Sequence, residues 1–312
     1  MRKAHHVSTL AGVALLVISV VAFAWAAHGY LRGAASAPSP STLPATPAAT
    51  PSSAATPAPR PDLAGLTLSA RAALLIDDAG TVLYAANPDE PLPPASTAKI
   101  VTALVVARYA RPEEIVTIQP GDESDPSEST MGLRAGDTVT VHDLLVGMLL
   151  PSGDDAARVL ARVVGERIPG DQPPRARFLA EMNALAAQLG MRDSHFTDPA
   201  GDDAPGQVVT ARDLALAAQR LLAEPSLLPI VATREARVRV GGPNARTLTL
   251  SNTNELLDTE GVFGVKTGTT PAAGQCLVVA YQHAGRTEIA VVLGSQDRYA
   301  DARALLGLPA AP

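Results

Sequence analysis

The stretch PASTAKIVTALV, residues 94–105, contains one of only three lysines in a 312-residue chain that carries twenty-two arginines. Lys3 lies at the extreme N-terminus, so the body of the protein keeps two, Lys99 and Lys266. Arginine stays cationic at any working pH, whereas a partly buried lysine can lose its proton and act as a base. A chain that writes Arg wherever charge alone is needed keeps Lys for places where a proton must move. Pro93 and Pro94 mark a helix start just before Ser96, and Ser96 and Lys99 stand at i and i+3. At that spacing the hydroxyl and the amine share one helix face. A serine hydroxyl becomes a useful nucleophile when a neighbouring amine takes its proton, and a helix N-terminus disfavours the ammonium form of that amine.

The second lysine sits in GVFGVKTGTT, residues 261–270, directly before the apolar run GQCLVVAY. Glycines and threonines around a lysine on a sheet edge suit an extended peptide ligand. The strand backbone pairs with the ligand, and the Lys266 and Thr267 side chains meet a carboxylate. A third element, LLPSGDDAA at 149–157, places Ser152 on a short turn between two helical patterns, where its hydroxyl can relay a proton.

Hydrophobic residues make up 46% of the chain and charged residues 18%, ample for a folded core. The net charge of −6, with no basic block in the folded part, argues against nucleic acid as a partner. The single cysteine, Cys276, falls in an apolar strand pattern and reads as a buried structural thiol. His5, His6 and His28 belong to the N-terminal region, and His142, His195 and His283 lack metal-ligand spacing. No metal and no cofactor is therefore expected. The acidic pairs Asp77-Asp78 and Asp202-Asp203 fall in turn-like contexts and are expected to be solvated.

Residues 1–32 read as an export segment. A basic start, MRKAHH, precedes eighteen uncharged apolar residues, Leu10 to Ala27. This segment is either cleaved after Ala24-Trp25-Ala26 or retained as a single-span anchor, and its length favours the anchor. No cysteine follows it, which excludes a lipoprotein. The basic flank places the rest of the chain outside the cytoplasm. Residues 33–62, almost all Ala, Pro, Ser and Thr, cannot bury enough apolar surface to fold and form a spacer of roughly 90 Å when extended. The folded domain is expected over 63–312.

Within it, ARAALLIDDAGTVLYAAN reads as a hairpin around Asp78-Ala79-Gly80, and GQCLVVAYQHAGRTEIAVVLGS as another around His283-Ala284-Gly285. Helical patterns lie between: one capped by Thr140, one beginning DAARVL, one ending at Gly190, and one with Thr210 and Asp213 in capping-box spacing. Strands at both ends and helices in the middle predict an α+β fold, an antiparallel sheet closed by the two ends with flanking helices and a helical insert.

The three elements in this order resemble the active site of the penicillin-recognising serine enzymes, with a β-lactamase/transpeptidase-like fold. More closely, the chain resembles the D-alanyl-D-alanine carboxypeptidases of the low-molecular-mass penicillin-binding protein type. The flanks STMGLRAGDTVTVHDLLVGMLLPSGDDAA, MRDSHFTDPAG, TARDLALAA, NTNELL and GVKTGTTPAAGQCLVVA match as well, so the resemblance spans the folded part. The second, all-β domain that many of these enzymes carry is not expected, since the pattern ends at VVLGSQDRYADARALLG. The resemblance implies Ser96 as the acylated nucleophile, Lys99 as its base and Ser152 as the proton relay to the departing D-alanine. It implies Lys266 and Thr267 at the substrate carboxylate, beside Gly268. The oxyanion hole is implied at the backbone amides of Ser96 and Thr269. The expected substrates are peptidoglycan pentapeptide stems, with β-lactams as covalent inhibitors. Cell-wall remodelling and cell shape are the implied setting.

The family's second motif reads Ser-x-Asn, and here it is Ser152-Gly153-Asp154. Asp154, in the substrate-binding position, cannot donate a hydrogen bond to a carbonyl as an amide does. It is expected to face the cleft between Lys99 and Lys266 and to raise both lysine pKa values. A D,D-endopeptidase remains an alternative activity. A class A-like β-lactamase needs a glutamate where DSHFTDPAGDDAPG offers only aspartates, Asp198 among them. A non-catalytic wall-binding homologue is the third alternative, against which the intact Ser96, Lys99 and Lys266 speak.

Overall fold

The structure is a computed structural model that describes Leu63, residues 65–125 and residues 127–310. The export segment and spacer expected over residues 1–62 lie outside the described residues. No helix among the described residues is long and apolar enough to cross a membrane.

Both terminal hairpins form. Strand β1 (Ala72–Asp77) turns into β2 (Val82–Ala86). Asp77 is not solvated as expected: its carboxylate accepts from the amides of Ala79 (3.0 Å) and Thr81 (2.8 Å) and from Arg286 (3.0 Å). The turn closes over its own aspartate, the usual way an Asp replaces water with backbone donors. A 3₁₀ turn, Ala95–Ala98, runs into α1 (Lys99–Tyr109), whose residues from Lys99 to Val106 are all buried. A helix apolar all round belongs in the middle of a core. Next come a short ribbon, β3 (Ile115–Thr117) with β4 (Thr138–Thr140), and then α2 (Val141–Leu149), α3 (Asp154–Arg167) and α4 (Pro174–Leu189). Thr140 caps α2 by accepting from the Asp143 amide, and Gly190 ends α4 in the left-handed conformation (φ +82°).

After α5 (Ala211–Leu222) and the single turn α6 (Leu228–Val231) comes a second ribbon, β5 (Glu235–Val240) with β6 (Arg246–Ser251). Thr210 caps α5, but Asp213 does not complete a capping box; it accepts instead from the Asp193 amide and the Ser194 hydroxyl. An aspartate is one methylene short of the residue that usually reaches back. The chain closes with β7 (Val262–Thr270), β8 (Gly274–His283), β9 (Arg286–Ser295) and α7 (Arg298–Leu306).

The main sheet is antiparallel in the order β2-β1-β9-β8-β7, so the two ends of the domain meet where β1 pairs with β9. Alternation divides its side chains. Ala72, Leu74, Ile76, Val278 and Val291 face the helical core, while Ala73, Leu75, Val279 and Val292 face α7. Burying both faces leaves β7 as one open edge. Cys276 is buried and free on β8.

Candidate active site

The proline pair does open a helix, but its first turn is 3₁₀ rather than α. In a 3₁₀ turn, residues i and i+3 eclipse one another. Lys99 Nζ accordingly lies 2.7 Å from Ser96 Oγ. The Lys99 side chain is fully buried, and its ammonium has three acceptors for three protons: Ser96 Oγ, Asp154 Oδ1 (2.6 Å) and the Ala200 carbonyl (2.7 Å). Ala95 and Ser152 both take left-handed backbone (φ +47° and +68°), a conformation costing a non-glycine residue about 1–3 kcal/mol. Each displays one of the site's hydroxyls, Ser96 next in sequence and Ser152 itself.

Two glycines allow the close approach around that turn. A Cβ on Gly268 of β7 would lie 2.8 Å from the Ser96 amide nitrogen and 2.9 Å from Ala95 Cβ. One on Gly201 would lie 2.0 Å from the Ala95 carbonyl oxygen. Any side chain there would push the strand or the loop away from the hydroxyl.

Ser152 occupies the turn between α2 and α3 and lines the same cleft as Ser96. Asp154 is the first residue of α3, behind Gly153 at the cap position, and its carboxylate turns to Lys99. Burial pushes the Lys99 ammonium pKa down, and the Asp154 carboxylate opposes that push without overcoming it. Lys266 is lowered further, by burial first and then by the nearby Lys99. The expected rise of both lysine pKa values is therefore corrected: removal from water outweighs the carboxylate. Asp155, next along α3 and absent from the sequence reading, accepts from Thr130 Oγ1 and from the amides of Met131, Gly132 and Leu133. It holds the facing loop, which carries Ser129, against the helix.

On the open edge β7, Lys266 is buried and donates to the Thr267 carbonyl at 3.0 Å. The Thr267 hydroxyl lies 2.5 Å from that of Thr253. Arg298, the first residue of α7, donates to the carbonyls of Gly268 (2.9 Å) and Cys276 (3.1 Å) and to the Thr269 hydroxyl. Ser96, Ser152, Thr253, Thr267, Thr269 and Arg298 line an open cleft of about 720 Å³. Thr253 and Arg298 were not picked out from sequence, since only the folded sheet brings them to β7.

The loop expected to offer a lactamase base is occupied structurally. Asp198 Oδ1 accepts from the amides of Ala200, Gly201 and Asp202, and Oδ2 pairs with Arg175 at 2.6 Å. With both oxygens engaged, Asp198 shapes the loop that presents the Ala200 carbonyl to Lys99. Nor are Asp202 and Asp203 simply solvated. Asp202 lies near Arg158 (3.4 Å), and burial, with Asp198 and Asp154, pushes its carboxyl pKa up. Asp203 accepts from the Thr270 hydroxyl and the Ala272 amide, tying the loop to the end of β7. Among the described residues no three His, Cys, Asp or Glu side chains converge as a metal site requires.

A helical lobe, a five-stranded antiparallel sheet and a Ser–Lys pair at their junction define the penicillin-recognising class of serine peptidases. Residues 54–297 match the model of the D-alanyl-D-alanine carboxypeptidase peptidase family. The chain is 36% identical over 244 residues to the D-alanyl-D-alanine carboxypeptidase DacC of Escherichia coli, covering 74% of this chain and 58% of that protein. It is 35% identical over 227 residues to a D-alanyl-D-alanine carboxypeptidase of Streptomyces sp. strain K15, covering 69% and 77%. The crystal structure of the Streptomyces K15 DD-transpeptidase superposes with a TM-score of 0.73 at 33% identity, over 78% of this chain and 97% of that one. The chain thus belongs to the D-alanyl-D-alanine carboxypeptidase family. It spans less than two thirds of the length of the Escherichia coli relative.

Proposed function

We propose that this protein is a serine-type D-Ala-D-Ala carboxypeptidase acting on peptidoglycan stem peptides and inhibited by β-lactams. The observation that carries this reading is the 2.7 Å contact between Lys99 Nζ and Ser96 Oγ at the floor of a cleft edged by β7. In acylation, Ser96 Oγ bonds to the carbonyl carbon of the penultimate D-alanine while its proton passes to Lys99. The amides of Ser96 and Thr269 stabilise the oxyanion. The C–N bond then breaks as Ser152 passes a proton to the amine of the departing D-alanine. Lys266 and Thr267, beside Gly268, hold the terminal carboxylate, with the Arg298 guanidinium supplying a cation in the same cleft. Water hydrolyses the acyl-enzyme and restores Ser96. Asp154 sits where the family has an amide and so withholds one donor from the substrate carbonyl.

Residues 1–32 are proposed to export the domain and hold it at the membrane, with residues 33–62 as the tether and 63–312 as the catalytic unit. A β-lactamase reading is disfavoured by the engagement of both Asp198 oxygens. Intact-protein mass spectrometry after incubation with penicillin tests the assignment. One adduct is expected on the wild-type protein and none on Ser96→Ala. An adduct persisting in Ser96→Ala would end the assignment.

A further inference from the structure

The β5–β6 ribbon has two unlike faces. Val238, Val240 and Leu250 turn inward and join the helical core. The period of two sends Glu235, Arg237 and Arg239 of β5, and Thr247, Thr249 and Ser251 of β6, to the opposite face, where all six are exposed. Register sets Arg237 across from Thr249 and Arg239 across from Thr247, so guanidinium and hydroxyl stand side by side along one surface. The neighbouring Arg234 and Arg246 are engaged by Asp258 and Asp137. Arg237 and Arg239 have no hydrogen-bond or ion-pair partner among the described residues. In a chain of net charge −6, two unpaired cations in a row form a local exception.

The root of this ribbon is in the catalytic cleft. The Asn252 amide donates to the Arg234 carbonyl at 2.7 Å, which carries the ladder one step past Ser251, and Asn252 and Thr253 line the cleft. From Asn252 back to Thr247 is five residues, roughly 17 Å of extended strand at about 3.4 Å each. A terminal dipeptide spans about 7 Å at full extension, so one seated at Ser96 stops short of Arg239. A substrate that continues as a polymer does not. We infer that the exposed face of this ribbon binds the carboxylate-bearing peptide stems that neighbour the stem in the cleft, through Arg237 and Arg239 with Thr247 and Thr249 beside them. The guanidinium fork matches a carboxylate in shape and charge. Each exposed contact is weak alone, and repetition along a polymer makes the sum count. This inference rests on the reading of the substrate as peptidoglycan.

The test is cosedimentation of the full-chain protein with insoluble peptidoglycan stripped of phosphate polymers. It compares the wild type with the double variant Arg237→Glu, Arg239→Glu. Wild-type binding should weaken as salt rises, and the double variant should bind roughly fivefold less or weaker still. Its penicillin acylation and its release of D-alanine from a short soluble peptide should stay within about twofold of wild type. Equal binding by the two proteins overturns the inference. So does wild-type binding that needs the phosphate polymers, or a parallel loss on the short peptide. If the wild type neither takes up penicillin nor releases D-alanine, the catalytic reading fails, and cosedimentation still decides the role of the ribbon.

Discussion

Asp154 Oδ1 lies 2.6 Å from Lys99 Nζ, with the lysine side chain fully buried and the aspartate side chain 9% exposed. Burial favours the neutral amine that can accept the Ser96 proton, and this carboxylate favours the ammonium that cannot. The fraction of competent enzyme rises as pH rises through the folded-state pKa of Lys99. Replacing the carboxylate by an amide removes the opposing influence and moves that pKa further down. The carboxylate opposes loss of the lysine proton, so Asp154→Asn should acylate faster below the wild-type midpoint and show an acid-shifted midpoint. Rates of penicillin acylation from pH 6 to pH 10 measure both. A slower variant or an unmoved midpoint would show that the contact does not govern the base.

Lys99→Arg should be nearly as damaging as Lys99→Ala. A guanidinium keeps the positive charge but cannot be a base, and loss of general-base help costs about a hundredfold or more. Acylation rates of the two variants separate charge from proton transfer. An arginine variant retaining more than about a third of the wild-type rate contradicts the base role.

Gly268→Ala tests the approach of β7 to the nucleophile turn. The added Cβ would meet Ser96 N and Ala95 Cβ, backbone and a short side chain that cannot swing aside. The strand must move outward, which displaces Thr269 from Ser96. Acylation should fall by about 10²-fold or more, as when one oxyanion donor is lost, while the far-ultraviolet circular dichroism stays native. Unchanged acylation would mean that the strand relaxes without disturbing the site.

Asp77 offers a readout of stability away from the chemistry. Backbone donors from Thr81 hold its carboxyl below the ordinary aspartate value of about 3.9, with Ala79 and Arg286 adding to the effect. A carboxylate lowered in the fold stabilises above its unfolded pKa and loses that contribution as pH falls through the folded value. Asp77→Asn should therefore melt lower than wild type at pH 7, with the gap narrowing below about pH 4. Thermal denaturation at several pH values checks this; a constant gap across the range would refute the titration account.

Much of this molecule was legible before folding because its signals are local. Ser96 and Lys99 are three residues apart, Thr140 and Thr210 sit where caps belong, and alternation marks β8 and β9. What escaped was assembled by distant chain. Arg298 meets Gly268 and Cys276 only because α7 returns to the sheet, and Thr253 meets Thr267 across a loop. Asp77 and Asp203 looked like solvated turn residues because sequence shows their polarity and not the backbone donors that fold around them. The downward lysine pKa values were misjudged for a related reason: the partner was visible and the depth of burial was not.

Strand β9 follows the other four strands of the main sheet in sequence, yet it sits between β1 and β8. Until it inserts, the hairpin at the front of the domain and the β7–β8 pair have no common frame, and the edge that carries Lys266 has nothing to face. A pairing such as Ala72 with Leu293 bridges nearly the whole domain, the kind of contact that forms late and slowly. A chain in which β9 has not yet paired therefore lacks the frame that sets Ser96 against β7, and on the proposed function it would be chemically silent. On that function, covalent uptake of penicillin would count folded domains rather than chains.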